Sequence, residues 1–280
     1  MRGVTIVPSE PSQSVLGLRL AFVLALGLVS SLLGAQTLAS GPVRDASAQQ
    51  TMSNAVMEMG AAGMGPGSTL TMSGQLPLHG QTSSIFPLTI KARGATDSRA
   101  ELTTLDGVRT TVIHGGRGMI RKPDGSATFL SPNNTAAFQT PYLPALALQS
   151  LANSQSTEIQ NLGSTTVDGV ALDVVATGLY QGITPGRSEK LADQTRTIFY
   201  IQHASGFVAR IVRLHYAEGQ DGDSQVEDIR YSDYRTVNGV MVPFHQETWS
   251  GDQLLFEVNF STVSFDAAIG DSDFEIASQE

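Results

Sequence analysis

Cysteine is absent from the 280-residue sequence. Its absence excludes disulfides, thiolate zinc sites, iron–sulfur clusters and cysteine nucleophiles. It also excludes the N-terminal cysteine on which bacterial lipid anchors are built.

Charged residues are scarce as well, at 15% of the chain against a usual share of about a quarter. Lys and Arg together number 17 and Asp and Glu 26, so the formal net charge is -9. No long basic stripe is present to neutralise a phosphate backbone. We therefore expect no nucleic-acid partner.

Catalytic and metal-binding signatures are missing too. The chain has no G-x-S-x-G elbow and no S-x-x-K pair. None of its five histidines forms an H-x-H or H-x-x-x-H pair. An acidic loop could offer oxygen ligands to calcium from Asp221, Asp223, Glu227 and Asp228, but it lacks the EF-hand spacing. We expect no enzymatic activity, no cofactor and no metal.

The N-terminal segment 1–39 has the pattern of a secretory signal peptide. Arg2 and Arg19 precede an uncharged run from Leu20 to Ala35, and small residues follow, with cleavage expected after Ala35 or Ala39. The alternative is an uncleaved inner-membrane anchor. Sixteen helical residues reach about 24 Å, short of the roughly 30 Å hydrocarbon core, which favours cleavage. Either way we expect a periplasmic or otherwise exported protein.

Residues 40–67 are small, polar and rich in methionine. The stretch GPVRDASAQQ predicts a linker, and Met52, Val56 and Met59 at i, i+4 and i+7 predict one short helix. Three interpretations of the methionines remain open. They could form a thioether copper(I) site, an adaptable apolar surface, or a helix with methionine as gap-filler, which we favour.

From Ser68 onward the sequence predicts β-hairpins. Asp106-Gly107, Asp124-Gly125, Asp168-Gly169 and Asn238-Gly239 lie between β-prone runs, and such pairs supply the two positive-φ residues of tight turns. Apolar residues alternate over 86–92 and 256–260, as in strands with one buried face. The other expected strands are 98–105, 108–114, 117–122, 126–130, 157–166, 169–179, 194–202, 207–217, 226–235 and 239–249.

One helix interrupts this series at 140–152, where proline stands near its start. Leu143, Leu146 and Leu151 contribute to a broad apolar face with hardly a charge nearby. The helix is either a plain core helix or a lid over an apolar cavity.

Arginine accounts for most of the positive charge. Six arginines lie in or beside expected strands: Arg117, Arg121, Arg210, Arg213, Arg230 and Arg235. Their guanidinium groups either pair with carboxylates across strands or bind a ligand phosphate or carboxylate at a cavity rim.

The C-terminal third carries a motif that resembles the periplasmic carriers of the outer-membrane lipoprotein-sorting superfamily (LolA/LolB-like, with RseB-like sensors as relatives). The stretch YSDYRTVNGVMVPF at 231–244 is followed by LLFEVNF at 254–260 and by DSDF at 271–274. The runs 101–118 and 167–173 are similar to other hairpins of that superfamily. The resemblance covers 68–274, and residues 68–280 would form the carrier-like domain.

The resemblance implies a mainly β (α+β) fold, a curved antiparallel sheet forming a half-open barrel with one or two helices packed in or over it. It also implies that the concave face holds acyl chains. The carriers' cationic cavity residue matches no position of this sequence.

We therefore expect a monomeric carrier-type protein that binds lipid or lipoprotein acyl chains, with a partner in the inner or outer membrane as a further expectation. The alternatives are an envelope-stress sensor, a structural β-domain without a ligand and, least favoured, a hydrolase. Helix residues expected to bind the ligand are Leu143, Leu146 and Leu151. Sheet residues chosen from alternation are Ile198, Tyr200, Val212, Leu214, Phe256, Val258 and Phe260.

Export with loss of the leader is directly testable. The h-region from Leu20 to Ala35 and the small residues after it predict a mature chain that begins shortly after Ala35 or Ala39. N-terminal sequencing of protein from the cell envelope measures this start. A chain beginning at Met1 and retained in the membrane would instead support the anchor.

Overall fold

A computed structural model describes residues 41–77, 84–137, 142–182, 185–216 and 224–276, apart from the side chains at 133, 136, 137 and 185. All of these residues belong to one compact unit. The leader, His79 and the start of the acidic loop at Asp221 and Asp223 lie outside the described residues. Within the described ranges, no helix has both the length and the apolar character needed to cross a membrane.

Thirteen strands form one antiparallel sheet in the order β6-β5-β4-β3-β2-β1-β13-β12-β11-β10-β9-β8-β7. They are β1 Thr69–Pro77, β2 Ile85–Arg93, β3 Asp97–Thr104, β4 Gly107–His114, β5 Arg117–Arg121, β6 Ala127–Phe129, β7 Thr157–Val167, β8 Val170–Leu179, β9 Thr197–Gln202, β10 Val208–Tyr216, β11 Ser224–Val237, β12 Val240–Ser250 and β13 Gln253–Phe265. The edges β6 and β7 do not pair, so the curved sheet is a half-open barrel and the predicted fold class is confirmed.

Four α-helices accompany the sheet in the described ranges: α1 Ala46–Glu58, α2 Pro132–Ala137, α3 Pro144–Asn153 and α4 Pro185–Gln194. A short 3-10 helix follows at Asp271–Phe274. The predicted helices α1 and α3 are present, with a proline in the first turn of α3. The sequence analysis did not predict β1, α2 or α4. Strand β1 does alternate, with Leu70, Met72 and Leu76 buried, whereas α2 and α4 show no clear apolar period.

The stretch expected to be a linker is ordered by a helix cap. The Asp45 carboxylate accepts hydrogen bonds from the backbone N–H groups of Ser47 at 2.8 Å and Ala48 at 3.1 Å. A capping carboxylate satisfies donors that the first turn leaves free. Helix α1 therefore begins at Ala46, and the predicted linker is wrong from that residue on.

Two of the four predicted turns have the expected geometry. Asp168-Gly169 and Asn238-Gly239 have positive φ at both residues, which matches the twist of a tight hairpin. At the other two pairs only Gly107 and Gly125 have positive φ, so those turns are of a different kind.

The inner face of the sheet carries two hydrophobic clusters. The first joins the buried side of α1 and part of α3 to β7 through β11, and includes Met52, Met59, Phe199 and Ile211. The second joins Leu143 and Leu146 to β1, β2, β12 and β13. The predicted alternation is confirmed on β2, where Phe86, Leu88, Ile90 and Ala92 are all buried.

Helix α1 is fixed to the sheet at both ends. At its start, Asp45 donates its N–H to the carbonyl of Ile159 at 2.9 Å, and Arg44 donates to the carbonyl of Thr157 at 3.1 Å. At its end, the N–H of Met241 donates to the carbonyl of Met59 at 2.9 Å. The helix therefore links edge strand β7 to the β11–β12 hairpin.

Gly60 makes the second of these links possible. It has a φ of +71°, and a Cβ placed there would stand 2.0 Å from the carbonyl oxygen of Gly239. A side chain at this position would both strain the backbone and overlap the hairpin turn.

We therefore expect Gly60→Ala to lower the free energy of unfolding by about 2 kcal/mol or more, since the left-handed conformation alone costs about 1–2 kcal/mol for a non-glycine residue. Gly63→Ala is the matched control, because a Cβ at Gly63 meets nothing within 4 Å. Thermal and urea unfolding of both variants measure the effect. Equal stability of the two would contradict this account of how α1 docks.

Candidate functional site

A cavity of about 520 Å³ lies on the inner face beside the two clusters. Ligand pockets in proteins commonly measure about 300–1,000 Å³, so this volume suits a small molecule or an acyl chain. The lining is Leu76, Leu88, Ala100, Leu102, Arg109, Thr111, Ile120, Leu130, Tyr142, Arg213, His215, Glu227, Ile229, Gln246, Thr248, Phe256 and Val258.

The two halves of the cavity differ in chemistry. Strands β13, β1, β2 and β3 supply only apolar side chains, for example Phe256, Leu76, Leu88 and Leu102. Strands β10, β11 and β12 supply a polar wall, which we define as Arg213, His215, Glu227, Gln246 and Thr248. The cavity is thus an apolar channel with a polar wall on β10 to β12, and β4 adds the polar side chains of Arg109 and Thr111.

A buried ion pair forms the centre of the polar wall. The Nε and Nη2 atoms of Arg213 lie 3.0 Å and 2.9 Å from Oε2 of Glu227, and Nδ1 of His215 lies 3.8 Å from Oε1. Arg213 and Glu227 face each other directly in the β10–β11 register. Because both are buried, each charge depends on the other for compensation.

Two tyrosines approach this pair. Burial raises the pKa of the Tyr142 hydroxyl, and the charges of Arg213 and Glu227 act on it in opposite directions. Burial also raises the pKa of Tyr231, which pairs directly with Gln246 of the polar wall in the β11–β12 register. Both phenols are therefore neutral at physiological pH and can serve as hydrogen-bond donors.

Two further groups on β12 lack partners. Gln246 is 2% exposed and Thr248 1% exposed, yet Oε1 of Gln246 and Oγ1 of Thr248 have no hydrogen-bond partner among the described residues. Their Cα neighbours in the ladder include Val258 and Phe256, which also line the cavity. Both polar side chains therefore belong to the cavity wall.

Helix α2, which the sequence analysis did not predict, lies between two residues that line the cavity. Leu130 and Tyr142, on either side of α2, line the cavity. The Asn134 side chain of α2 binds the backbone of Tyr216 at the end of β10, with its Nδ2 donating at 2.6 Å and its Oδ1 accepting at 2.9 Å. Helix α2 thus reaches from the β5–β6 side of the barrel to β10.

Of the residues predicted to bind ligand, Phe256 and Val258 line the cavity. Phe260, Leu143 and Leu146 are buried in the second cluster, and Leu151 packs partly buried against the first. None of the three α3 leucines lines the cavity. The structure therefore places α3 as a core helix and not as a lid.

Ile198, Tyr200, Val212 and Leu214 do not line the cavity, and their expected concave placement is wrong by one residue. Their strand neighbours Phe199 and Ile211 occupy the inner face. For Val212 and Leu214 the cause is a β-bulge between Val208 and Arg210, which shifts the phase of β10. A bulge adds one residue to a strand and reverses the faces of those that follow. On β9, which pairs regularly with β8, the buried face is that of Phe199 and Ile201.

Because the wrong face of β10 was expected to be concave, the polar wall was not predicted. Once the bulge is included, Arg213 and His215 follow Ile211 on the inner face. Elsewhere the expected pairing across strands is present where Arg210 of β10 contacts Asp228 of β11. Arg230 and Arg235 instead pair within β11, at 2.9 Å from Asp228 and 2.5 Å from Asp233. Glu227 and Asp228, which could in principle have offered calcium ligands, pair with arginines.

No three acidic or histidine side chains among the described residues converge as they would around a metal ion.

Comparison with solved structures supports the fold. The chain is similar to a protein domain from Vibrio parahaemolyticus named for outer membrane lipoprotein sorting, with a TM-score of 0.52, 11% identity, and coverage of 81% of this chain and 96% of that one. A DUF1329 family protein from Desulfovibrio piger matches with a TM-score of 0.52, 11% identity and coverage of 81% and 97%. A LolA superfamily protein from Nitrosomonas europaea matches with a TM-score of 0.51 and 12% identity. The match covers 80% of this chain and 97% of that one.

No family model and no curated protein sequence matches the chain. The resemblance seen in the sequence is therefore confirmed at the level of the fold, since identities of this size speak to architecture.

The position of α3 makes a clear prediction. Leu146 is 3% exposed within the second cluster, so Leu146→Asp should unfold the domain, because an unpaired buried charge costs several kcal/mol. Leu105→Asp is the control, since Leu105 is 88% exposed. Circular dichroism and thermal melting distinguish them. A Leu146→Asp protein that folds but no longer binds a fluorescent fatty acid would instead support the interpretation of α3 as a lid.

Proposed function

We propose that this protein binds the acyl chain of a lipid or lipoprotein non-covalently in its inner cavity. The observation that carries the proposal is a 520 Å³ cavity, lined mainly by apolar side chains, on the inner face of a half-open barrel. Each CH₂ group transferred from water into such a lining contributes about 0.8 kcal/mol. A chain of ten carbons would therefore bring enough free energy to offset the cost of ordering it.

The proposed setting is the cell envelope, reached through the leader at 1–39. Two of the structurally similar proteins bear names that refer to lipoprotein sorting or to the LolA superfamily. Those names concern proteins of the same fold, and they support a binding role here over a catalytic one. We propose that the protein acts as a monomer and passes its ligand to a membrane or a membrane protein.

Release of the ligand is governed by the same hydrophobic transfer free energy as its binding. An acyl chain in the cavity leaves only for an environment that is equally apolar, because exposure to water would cost about 0.8 kcal/mol per CH₂ group. A bilayer or the groove of a second protein offers this environment. The proposed carrier role therefore requires an acceptor and no chemical step.

Blocking the cavity tests the proposal. Ala100 lies on β3 and lines the cavity, so the indole of Ala100→Trp should fill the space where an acyl chain would lie. We expect binding of the fluorescent fatty acid cis-parinaric acid to fall by at least about 10-fold, a loss of about 1.4 kcal/mol.

Ala127→Trp is the matched control, because Ala127 is exposed on β6 and does not line the cavity. Both variants should melt within a few degrees of the parent protein. If the parent binds cis-parinaric acid and both folded variants bind it equally well, the acyl chain does not occupy this cavity.

A further inference from the structure

The polar wall contains hydrogen-bonding capacity that the protein itself does not use. Gln246 Oε1 and Thr248 Oγ1 are both buried without a partner among the described residues, and both side chains line the cavity. Leaving one buried polar group unsatisfied costs about 1–3 kcal/mol. Two such groups side by side in a cavity wall point to a ligand that supplies the missing hydrogen bonds.

Position along the strand strengthens this point. Gln246 and Thr248 are two residues apart on β12, so they are successive positions on one face, about 7 Å apart. Thr157 Oγ1 is also buried without a partner, but it borders no part of this cavity. His215 also lines the cavity, but its Nδ1 lies 3.8 Å from Oε1 of Glu227, whereas the β12 pair combines unmet hydrogen bonds with adjoining space for a ligand group.

The charge of the wall limits which head group fits. Arg213 carries one positive charge and Glu227, 2.9 Å away, one negative charge, so the ion pair has no net charge. At the wall a carboxylate or phosphate would find no uncompensated cation and would face the carbonyl oxygen of Gln246. The other cation of the lining, Arg109, lies on β4 and is exposed to solvent. A hydroxyl suits the wall better, because it both donates and accepts hydrogen bonds and needs no counter-charge.

We propose, on the basis of the acyl-binding function above, that Gln246 and Thr248 recognise the uncharged, hydroxyl-bearing head of a lipid such as a monoacylglycerol. The acyl chain lies along the apolar side formed by β13, β1, β2 and β3. The head lies against β12, where Gln246 Oε1 accepts a hydrogen bond and Thr248 Oγ1 donates or accepts another. A glycerol head carries more than one hydroxyl and can therefore reach both residues.

A series of ligands with the same oleoyl chain tests this in the parent protein. Displacement of cis-parinaric acid would be measured with monooleoylglycerol, oleamide, methyl oleate and oleate. We expect monooleoylglycerol to bind about 10-fold more tightly than methyl oleate, which offers no donor, and more tightly than oleate. Oleamide has an amide N–H donor in place of a hydroxyl, so it shows whether the type of donor matters. If it equals monooleoylglycerol, any neutral donor suffices and the hydroxyl assignment is wrong.

Variants assign the preference to the two residues. Thr248→Val keeps the side-chain shape and removes the hydroxyl, and Gln246→Leu removes the carboxamide. Each should reduce the preference for monooleoylglycerol over methyl oleate several-fold, while methyl oleate itself binds as before. Neither should lower the melting midpoint, because each removes a buried polar group that lacks a partner.

Thr157→Val is the matched control, since it deletes an equally buried hydroxyl outside the cavity and should leave the preference unchanged. Equal binding of all four ligands by the parent protein would overturn the head-group proposal and leave acyl binding intact. Binding of none of them would overturn the proposed function itself. An unchanged preference in both β12 variants would place the head elsewhere in the cavity.

Discussion

The structure depends on how two short helices cover one face of a very wide sheet. A single antiparallel sheet with an apolar face must bury that face against something. Helix α1 covers the inner face over β7 to β11, and the start of α3 covers it over β1, β2, β12 and β13. Thirteen strands are too many for 23 helical residues to cover completely. The remaining inner surface is the cavity.

The placement of α1 is therefore decisive for the site. Its first residues bond to Ile159 on edge strand β7, and Met59 bonds to Met241 on β12. These links fix the distance between the edge strand and the β11–β12 hairpin, which carries the polar wall residues of β12. The Tyr234 hydroxyl adds a further link, donating to the carbonyl of Val208 at 2.7 Å. The DYR sequence at 233–235 thus supplies a structural anchor.

Local rules were enough to predict most of the elements. Paired turn residues predicted the hairpins. Strict alternation of apolar residues predicted the buried face of β2 and of β13 near Val258. They failed on β10, where the more apolar phase of VARIVRLHY, that of Val208, Val212 and Leu214, is not the phase that faces the cavity. Tertiary packing decides between those phases, and a bulge at Val208 to Arg210 reverses them partway along the strand. A bulge leaves no dependable mark in a sequence, so Val212 and Leu214 fell on the outer face. On β9 the wrong one of two apolar phases was chosen, that of Ile198 and Tyr200.

The Arg213–Glu227 pair is better explained by the cavity than by stability. Burying two charges costs several kcal/mol each, and replacing such a pair with apolar residues of similar volume is often neutral or stabilising. An apolar carrier channel would therefore gain little from this pair, and its β12 neighbours Gln246 and Thr248 add unmet hydrogen bonds to that cost. A cavity that only had to hold hydrocarbon would be more stable without all four. Their presence on one side of the channel is consistent with a ligand that has two chemically different ends, held in one orientation.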